Sequence, residues 1–324
     1  MADSLAVQTI ASVVAAAVPL IFAGIGETLT EKAGIVNLSL DGTILLTAMA
    51  GFGVALATGS VTVGILVAML LGAAIALIVA YGSIALHQDQ VAIGFVLTLL
   101  CADLSSFIGR PLAGKPGPSV APWHIPILED IPVIGPILFQ HNILVYLSYL
   151  AILLSWLWIF HTQPGLRLRG VGERPEAAYA RGVNVNRVRY LYTLAGGALV
   201  GLAGAGYSLS TKLGWSHRHT AGMGWIALAI VIFGGWSPFR VALGAYLFGF
   251  LKSLGSILQP IYPQVPTQIF QAAPFALMIV ALLVVSGDFV ERVLLLAPPK
   301  VRPILAAILR GSPPAGLGKT FQPD

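Results

Sequence analysis

Charge is what this sequence has least of. Of 324 residues, 18 are Lys or Arg and 13 are Asp or Glu, so 10% are charged, against about a quarter in a soluble globular domain. With 57% of residues hydrophobic and a mean hydropathy of +0.87, too few polar side chains remain to cover a water-facing surface. That excludes a soluble enzyme and leaves lipid as the solvent. Cysteine is nearly absent: Cys101 stands alone, which excludes an internal disulfide and suits a small apolar filler. No Lys or Arg precedes Lys32, so the basic start of a secretory signal peptide is missing and the first apolar stretch is expected to be retained. The net charge of +5 does not point to nucleic acid, because no basic stripe alternates with aromatic residues on a polar face.

Nine apolar stretches reach or approach the roughly 20 residues that cross about 30 Å of hydrocarbon. They are residues 5–23, 34–58, 61–86, 90–109, 142–160, 190–210, 222–236, 239–258 and 268–286. The expected fold class is therefore all-α, a polytopic membrane bundle of about nine helices in one transmembrane domain over 1–297, with a tail over 298–324. Arg167, Arg169, Arg174, Arg181, Arg187 and Arg189 gather in the loop 161–189 against only Glu173 and Glu176. Short cytoplasmic loops hold such an excess, so this loop is expected to be cytoplasmic. Counting from it puts the N-terminus outside and the tail inside, where Arg292, Lys300, Arg302, Arg310 and Lys319 agree. The stretch 222–236 is short and fits a re-entrant segment as well as a full span. Loop 110–141 falls outside; its prolines, with Trp123, Glu129 and Asp130, suit an ordered cap on the membrane surface or a plain connector.

Three motifs carry functional information. Within the Arg-rich loop lies Arg174-Pro175-Glu176-Ala177-Ala178-Tyr179-Ala180-Arg181-Gly182. Proline fits a first helical turn, Glu176 its positive end, Arg181 its negative end, and Gly182 a left-handed stop. A short, self-contained cytoplasmic helix is more than a connection needs, and suits a subunit that receives a push from a partner. The second motif, Gly34-Ile35-Val36-Asn37-Leu38-Ser39-Leu40-Asp41-Gly42, sets Asn37, Ser39 and Asp41 among apolar residues. A carboxylate near the membrane centre costs about 2.5–3.5 kcal/mol, so Asp41 should face protein or a water-filled cavity. Flanking glycines allow a helix break that offers backbone groups to a solute; a helix cap near the surface is the alternative. The third motif, residues 222–236, is a glycine-bracketed apolar segment containing Trp225, and pairs with the second as corresponding parts of two halves would.

Small residues at Gly197, Gly201 and Ala205, and at Ala245, Gly249 and Ser253, form i, i+4, i+8 rows expected to seat neighbouring helices. Lys252 beside the second row either lines a path or snorkels outward. Phe95, Trp225 and Phe233 are candidates to stack on a base, with packing as the alternative. Enzyme chemistry has little footing. His87, His124, His141, His161, His217 and His219 fall mostly at span ends or in loops, without an H-E-x-x-H pair or a Cys cluster to hold a metal. Gly316, Gly318, Lys319 and Thr320 echo the end of a phosphate-binding loop, but Pro313 replaces its first glycine. Any ATP must therefore be used by another subunit. An ion-coupled secondary transporter is the main competing class, and beyond Asp41, Asp103 and Lys252 the spans offer it few relay groups.

Together these motifs resemble the permeases of the branched-chain amino acid, ribose and nucleoside group of ABC importers. Glu176-Ala177-Ala178 followed by Gly182 resembles their coupling loop, which seats in a groove of the ATP-hydrolysing subunit. The Gly34–Gly42 stretch looks like the G-x-x-N-x-x-x-E-G signature of the nucleoside branch more than the G-x-I-D-L-S-V-G of sugar permeases, with Asp41 where that branch has Glu. Glu31-Lys32-Ala33 and the 222–236 block also fit that branch. The resemblance implies a type II importer-like bundle that moves nucleosides by alternating access and has no catalytic residue, metal site or cofactor of its own. ATP and Mg²⁺ would be bound by an ATP-binding cassette subunit, beside a second permease of similar fold and an extracytoplasmic solute-binding lipoprotein, in the cytoplasmic inner membrane. It assigns coupling to Arg174, Glu176, Ala177, Ala178, Arg181 and Gly182. The path falls to Asn37, Ser39, Asp41, Gly42 and Trp225. A sugar or a branched-chain amino acid is the alternative cargo.

Overall fold

The computed structural model describes residues 2–220, 222–266 and 311–322, with isolated positions between 268 and 298. Among the described residues there are ten α-helices: α1 (Ala2–Lys32), α2 (Leu40–Thr58), α3 (Val61–Ile84), α4 (Gln90–Gly109), α5 (Ile143–His161), α6 (Gln163–Glu173), α7 (Pro175–Ala180), α8 (Val185–Gly206), α9 (Met223–Phe233) and α10 (Pro238–Ile261). Helix starts follow local chemistry. Side chains of Asp89, Asn142, Thr162 and Asn184 accept backbone N–H groups in the first turns of α4, α5, α6 and α8 at 2.7–3.1 Å, satisfying donors that a helix leaves open. Gly59, with φ of 69°, ends α2.

Six of these helices are long and apolar enough to cross a membrane, and they correspond to the expected spans 5–23, 34–58, 61–86, 90–109, 142–160 and 239–258. The expected span 190–210 is α8, which begins earlier, at Val185, and continues through a π-helical turn, Tyr207–Thr211. Span 268–286 lies largely outside the described residues. At 11 residues, α9 covers about 16 Å, half the hydrocarbon thickness.

Two boundaries are corrected. The first helix does not end at residue 23. It runs to Lys32, because Thr28 and Thr30 fold their hydroxyls onto the Gly24 and Gly26 carbonyls and the fully shielded Glu27 and nearly buried Glu31 point into protein. The second span does not begin at residue 34: 33–39 is non-helical and α2 starts at Leu40. Gly34 turns this break with φ of 90°.

At the centre of the bundle α8 lies between α1 and α3. Its small-residue row makes this possible. A Cβ at Gly197 or Gly201 would collide with α3 at Ala76 or Ala68, so glycine lets the two backbones approach closely. On α10, Gly249 packs likewise on Val13 of α1. The segment 110–141 is tied to the bundle and to itself by hydrogen bonds. Pro122 bridges Asn142, Trp123 N donates to His141 O at 2.8 Å, Val120 N to Leu209 O at 2.8 Å, and His124 faces Glu129 at 3.0 Å.

Candidate functional site

The two glycine-bracketed motifs, nearly 190 residues apart in sequence, meet. Gly224 N in the first turn of α9 donates to Asp41 Oδ1 at 3.0 Å, and a Cβ at Gly224 would overlap the Asp41 backbone. Asp41, 8% exposed, thus sits at the N-terminus of α9 as well as in the first turn of its own helix, where helix dipoles favour a negative charge. Asn37 closes the break from within: its Oδ1 accepts from Ser39 N at 3.1 Å and Ser39 Oγ at 2.6 Å, and its N–H donates to Glu27 Oε1 at 3.2 Å. Ser39 also meets Thr43 Oγ1 at 3.2 Å. Gly42 is the point of contact with α4, where a Cβ would strike the Thr98 backbone. Asn37, Ser39, Asp41 and Gly42 are all buried against protein.

Trp225 differs. It is half-open, with Phe95 of α4 beside it, ring centroids 6.4 Å apart. The structure brings Asp41 and Trp225 together at the α2–α9 junction, and the Phe95–Trp225 pair forms its accessible face. Phe233 closes α9 at the opposite end.

Sequence reasoning missed several members of this centre. Gln90 Oε1 accepts from Val36 N, and Thr98 Oγ1 donates to Leu38 O, both at 2.7 Å. Glu31 receives the Trp236 indole N–H. The available signal was the i, i+4 spacing of Glu27 and Glu31, with Thr28 and Thr30 between them, directly after an apolar run. Arg189, taken as a loop charge, is fully buried near Gly34.

The Arg-rich segment is an arch of two helices. α7 is exposed along Glu176, Ala177, Tyr179 and Ala180, and Arg174, Arg181 and Gly182 are exposed at its ends; only Pro175 and Ala178 are buried. Gly182, with φ of 81°, stops it, its N–H donating to Tyr179 O at 2.8 Å. Among the described residues no three His, Cys, Asp or Glu side chains gather as metal ligands. In the loop after α8, His219 is packed against Trp215 and takes the Lys212 Nζ donor on its carbonyl at 2.5 Å. Burial, with Lys212 nearby, lowers the His219 pKa from its ordinary 6.5.

A profile for the branched-chain amino acid transport system permease component matches residues 9–282. The chain belongs to that family. This permease is 36% identical over 282 residues to the guanosine ABC transporter permease protein NupQ of Bacillus subtilis, covering 82% of this chain and 88% of the relative. It is 34% identical over 282 residues to the nucleoside ABC transporter permease protein NupC of Lactococcus lactis, covering 83% and 89%. A Haloferax volcanii protein provisionally named a glucose ABC transporter permease is 37% identical over 255 residues, 78% of each chain. No solved structure matches. The chain is thus a multi-pass ABC transporter permease, a transport subunit and not itself catalytic, of a class that works with an ATPase and a solute-binding protein.

Proposed function

We propose that this permease passes nucleosides inward across the cytoplasmic membrane, paired with a second permease of similar fold. ATP and Mg²⁺ bind in the partner ATPase, closure of that partner pushes α7, and the path between the permeases changes the side to which it opens. The observation that carries the substrate reading is the α2–α9 junction, where Asp41 holds two helix starts together beside the open Phe95–Trp225 pair. Aromatic faces suit a planar base, since stacking on an aromatic ring accepts any base. The Gly34–Gly42 stretch and the likeness to nucleoside and guanosine permeases support the same reading.

For coupling, the support is the exposed face of Glu176, Ala177, Arg181 and Gly182 at the end of the arch. The arginine excess supports a cytoplasmic arch, an outside N-terminus and an outward cap at 110–141 that receives the binding lipoprotein. Asn37, Ser39 and Gly42 act in this reading by holding the junction, while Trp225 meets the solute.

A sugar is the second reading, favoured by the similarity to the Haloferax volcanii protein. Competition separates the two. With labelled guanosine as tracer in cells making the whole importer, excess uridine should block uptake, while glucose, ribose and leucine should not. Block by glucose with indifference to uridine would overturn the nucleoside reading.

A further inference from the structure

The family profile ends at residue 282, yet residues 311–322 are held against the parts of the permease that would have to move together. Gly311 lies against Gly235, in the turn after α9. Ala315 N donates to Glu173 Oε2 at 3.2 Å and Gly316 N to Gly172 O at 2.8 Å, both at the end of α6. Gly318 N donates to Gly34 O at 3.1 Å, in the break between α1 and α2. Gly318, Lys319 and Thr320 then face His87, Gln88, Asp89 and Gln90 across a cleft of about 570 Å³, next to the N-terminus of α4. Finally Phe321, 6% exposed, fills the underside of the arch among Val171, Ala178 and Val185, its ring centroid 5.6 Å from that of Tyr179.

These contacts answer a mechanical difficulty. A helix of six residues with two buried side chains has little grip on the bundle and no stability of its own. The largest side chain in the cluster beneath it is Phe321, from the tail. From Ala315 to Phe321 the tail ties the end of α6, the underside of α7 and the break at Gly34 together. The same hydrogen bonds occupy the Gly316 and Gly318 N–H groups, which a phosphate-binding loop would need free.

We propose that residues 311–322 form a strap that transmits movement of α7 to the α1–α2 break, with Phe321, Gly316 and Gly318 as its positioning residues. The proposal rests on the coupling role given to α7 above. A push on α7 displaces Phe321, and the strap shifts Gly34 through the Gly318 hydrogen bond. The break in turn carries Asn37 and Ser39 toward or away from the α2–α9 junction.

The test uses the complete importer in proteoliposomes, with ATP hydrolysis and nucleoside uptake measured side by side. Phe321→Ala removes the anchor, Phe321→Leu refills it, and Glu173→Ala frees the strap at an exposed site where folding is not at stake. The expected result is a normal amount of assembled complex, hydrolysis within about twofold of wild type, and roughly 3- to 30-fold less nucleoside carried per ATP in Phe321→Ala. Phe321→Leu should restore the ratio and Glu173→Ala should lower it in the same direction. An unchanged ratio in Phe321→Ala and Glu173→Ala, or uptake and hydrolysis falling together with the amount of complex, would overturn the strap. Wild-type uptake that proceeds without ATP would instead overturn the coupling role of α7 itself, and the strap with it.

Discussion

In the break at 33–39, Asn37 is 3% exposed and Ser39 fully buried, and the Asn37 N–H and Oδ1 and the Ser39 N–H and hydroxyl each meet a neighbour within the bundle. In the arch, Glu176, Ala177, Arg181 and Gly182 are open along one face. Both regions interrupt an apolar chain with polar residues. The first uses them to hold its own backbone, because an unpaired polar group away from water is costly. The second leaves them exposed, as the coupling role proposed for α7 requires. The difference teaches that a polar residue in a membrane sequence marks either a buried joint or an exposed face, and that packing decides which.

The comparison breaks most severely at the joints. Gly201→Leu drives a side chain into the α3 backbone at Ala68 and should cost about 1–3 kcal/mol or more, seen as a lower melting temperature in detergent and less protein in the membrane. Asp41→Ala leaves the Gly224 N–H without its acceptor, a loss of about 1–3 kcal/mol that the same melting measurement reads. Asp41→Glu keeps the charge and should melt closer to wild type. In the arch, Glu176→Lys should leave melting within about 0.5 kcal/mol of wild type, as surface changes do, while abolishing uptake. Equal melting losses in the two regions would erase the distinction between them.

The smallest effect lies in the loop after α8. Because burial lowers the His219 pKa below 6.5, the unfolded state takes up its proton first. Stability from neutral His219 is therefore present above pH 6.5 and is lost as pH falls below it. Amide protection factors at residues 212–220, taken relative to the intrinsic exchange rate at each pH, should fall between pH 7 and 5, and His219→Gln should flatten that dependence.

Much of this was legible in the sequence, for physical reasons that differ by region. Long apolar runs fix α3, α4, α5 and α10 because hydrocarbon thickness sets their length. In the arch, α7 was legible from Pro175, Glu176 and Gly182, each favoured at its helix position, whereas α6, over Gln163–Glu173, was read only as part of an arginine-rich loop. The end of α1 was not: apolarity fails at Glu27 and Glu31, and only the packed bundle explains why a helix continues through two carboxylates. The meeting of Asp41 with Gly224 depends on tertiary packing, which the paired glycine segments suggested only as a correspondence. Nothing local in Phe321 announces an anchor; its role appears only when the tail is laid against Val171 and Ala178.

The most direct test of the central claim, that this permease carries nucleosides under ATP-driven control through α7, is guanosine uptake by vesicles holding the purified importer, with and without this chain and with Glu176→Lys plus Gly182→Asp. Uptake that requires both the chain and ATP, and is lost in the double substitution although the complex assembles in the membrane, is the predicted result. Uptake by this chain alone that follows an ion gradient and ignores the substitutions would contradict it.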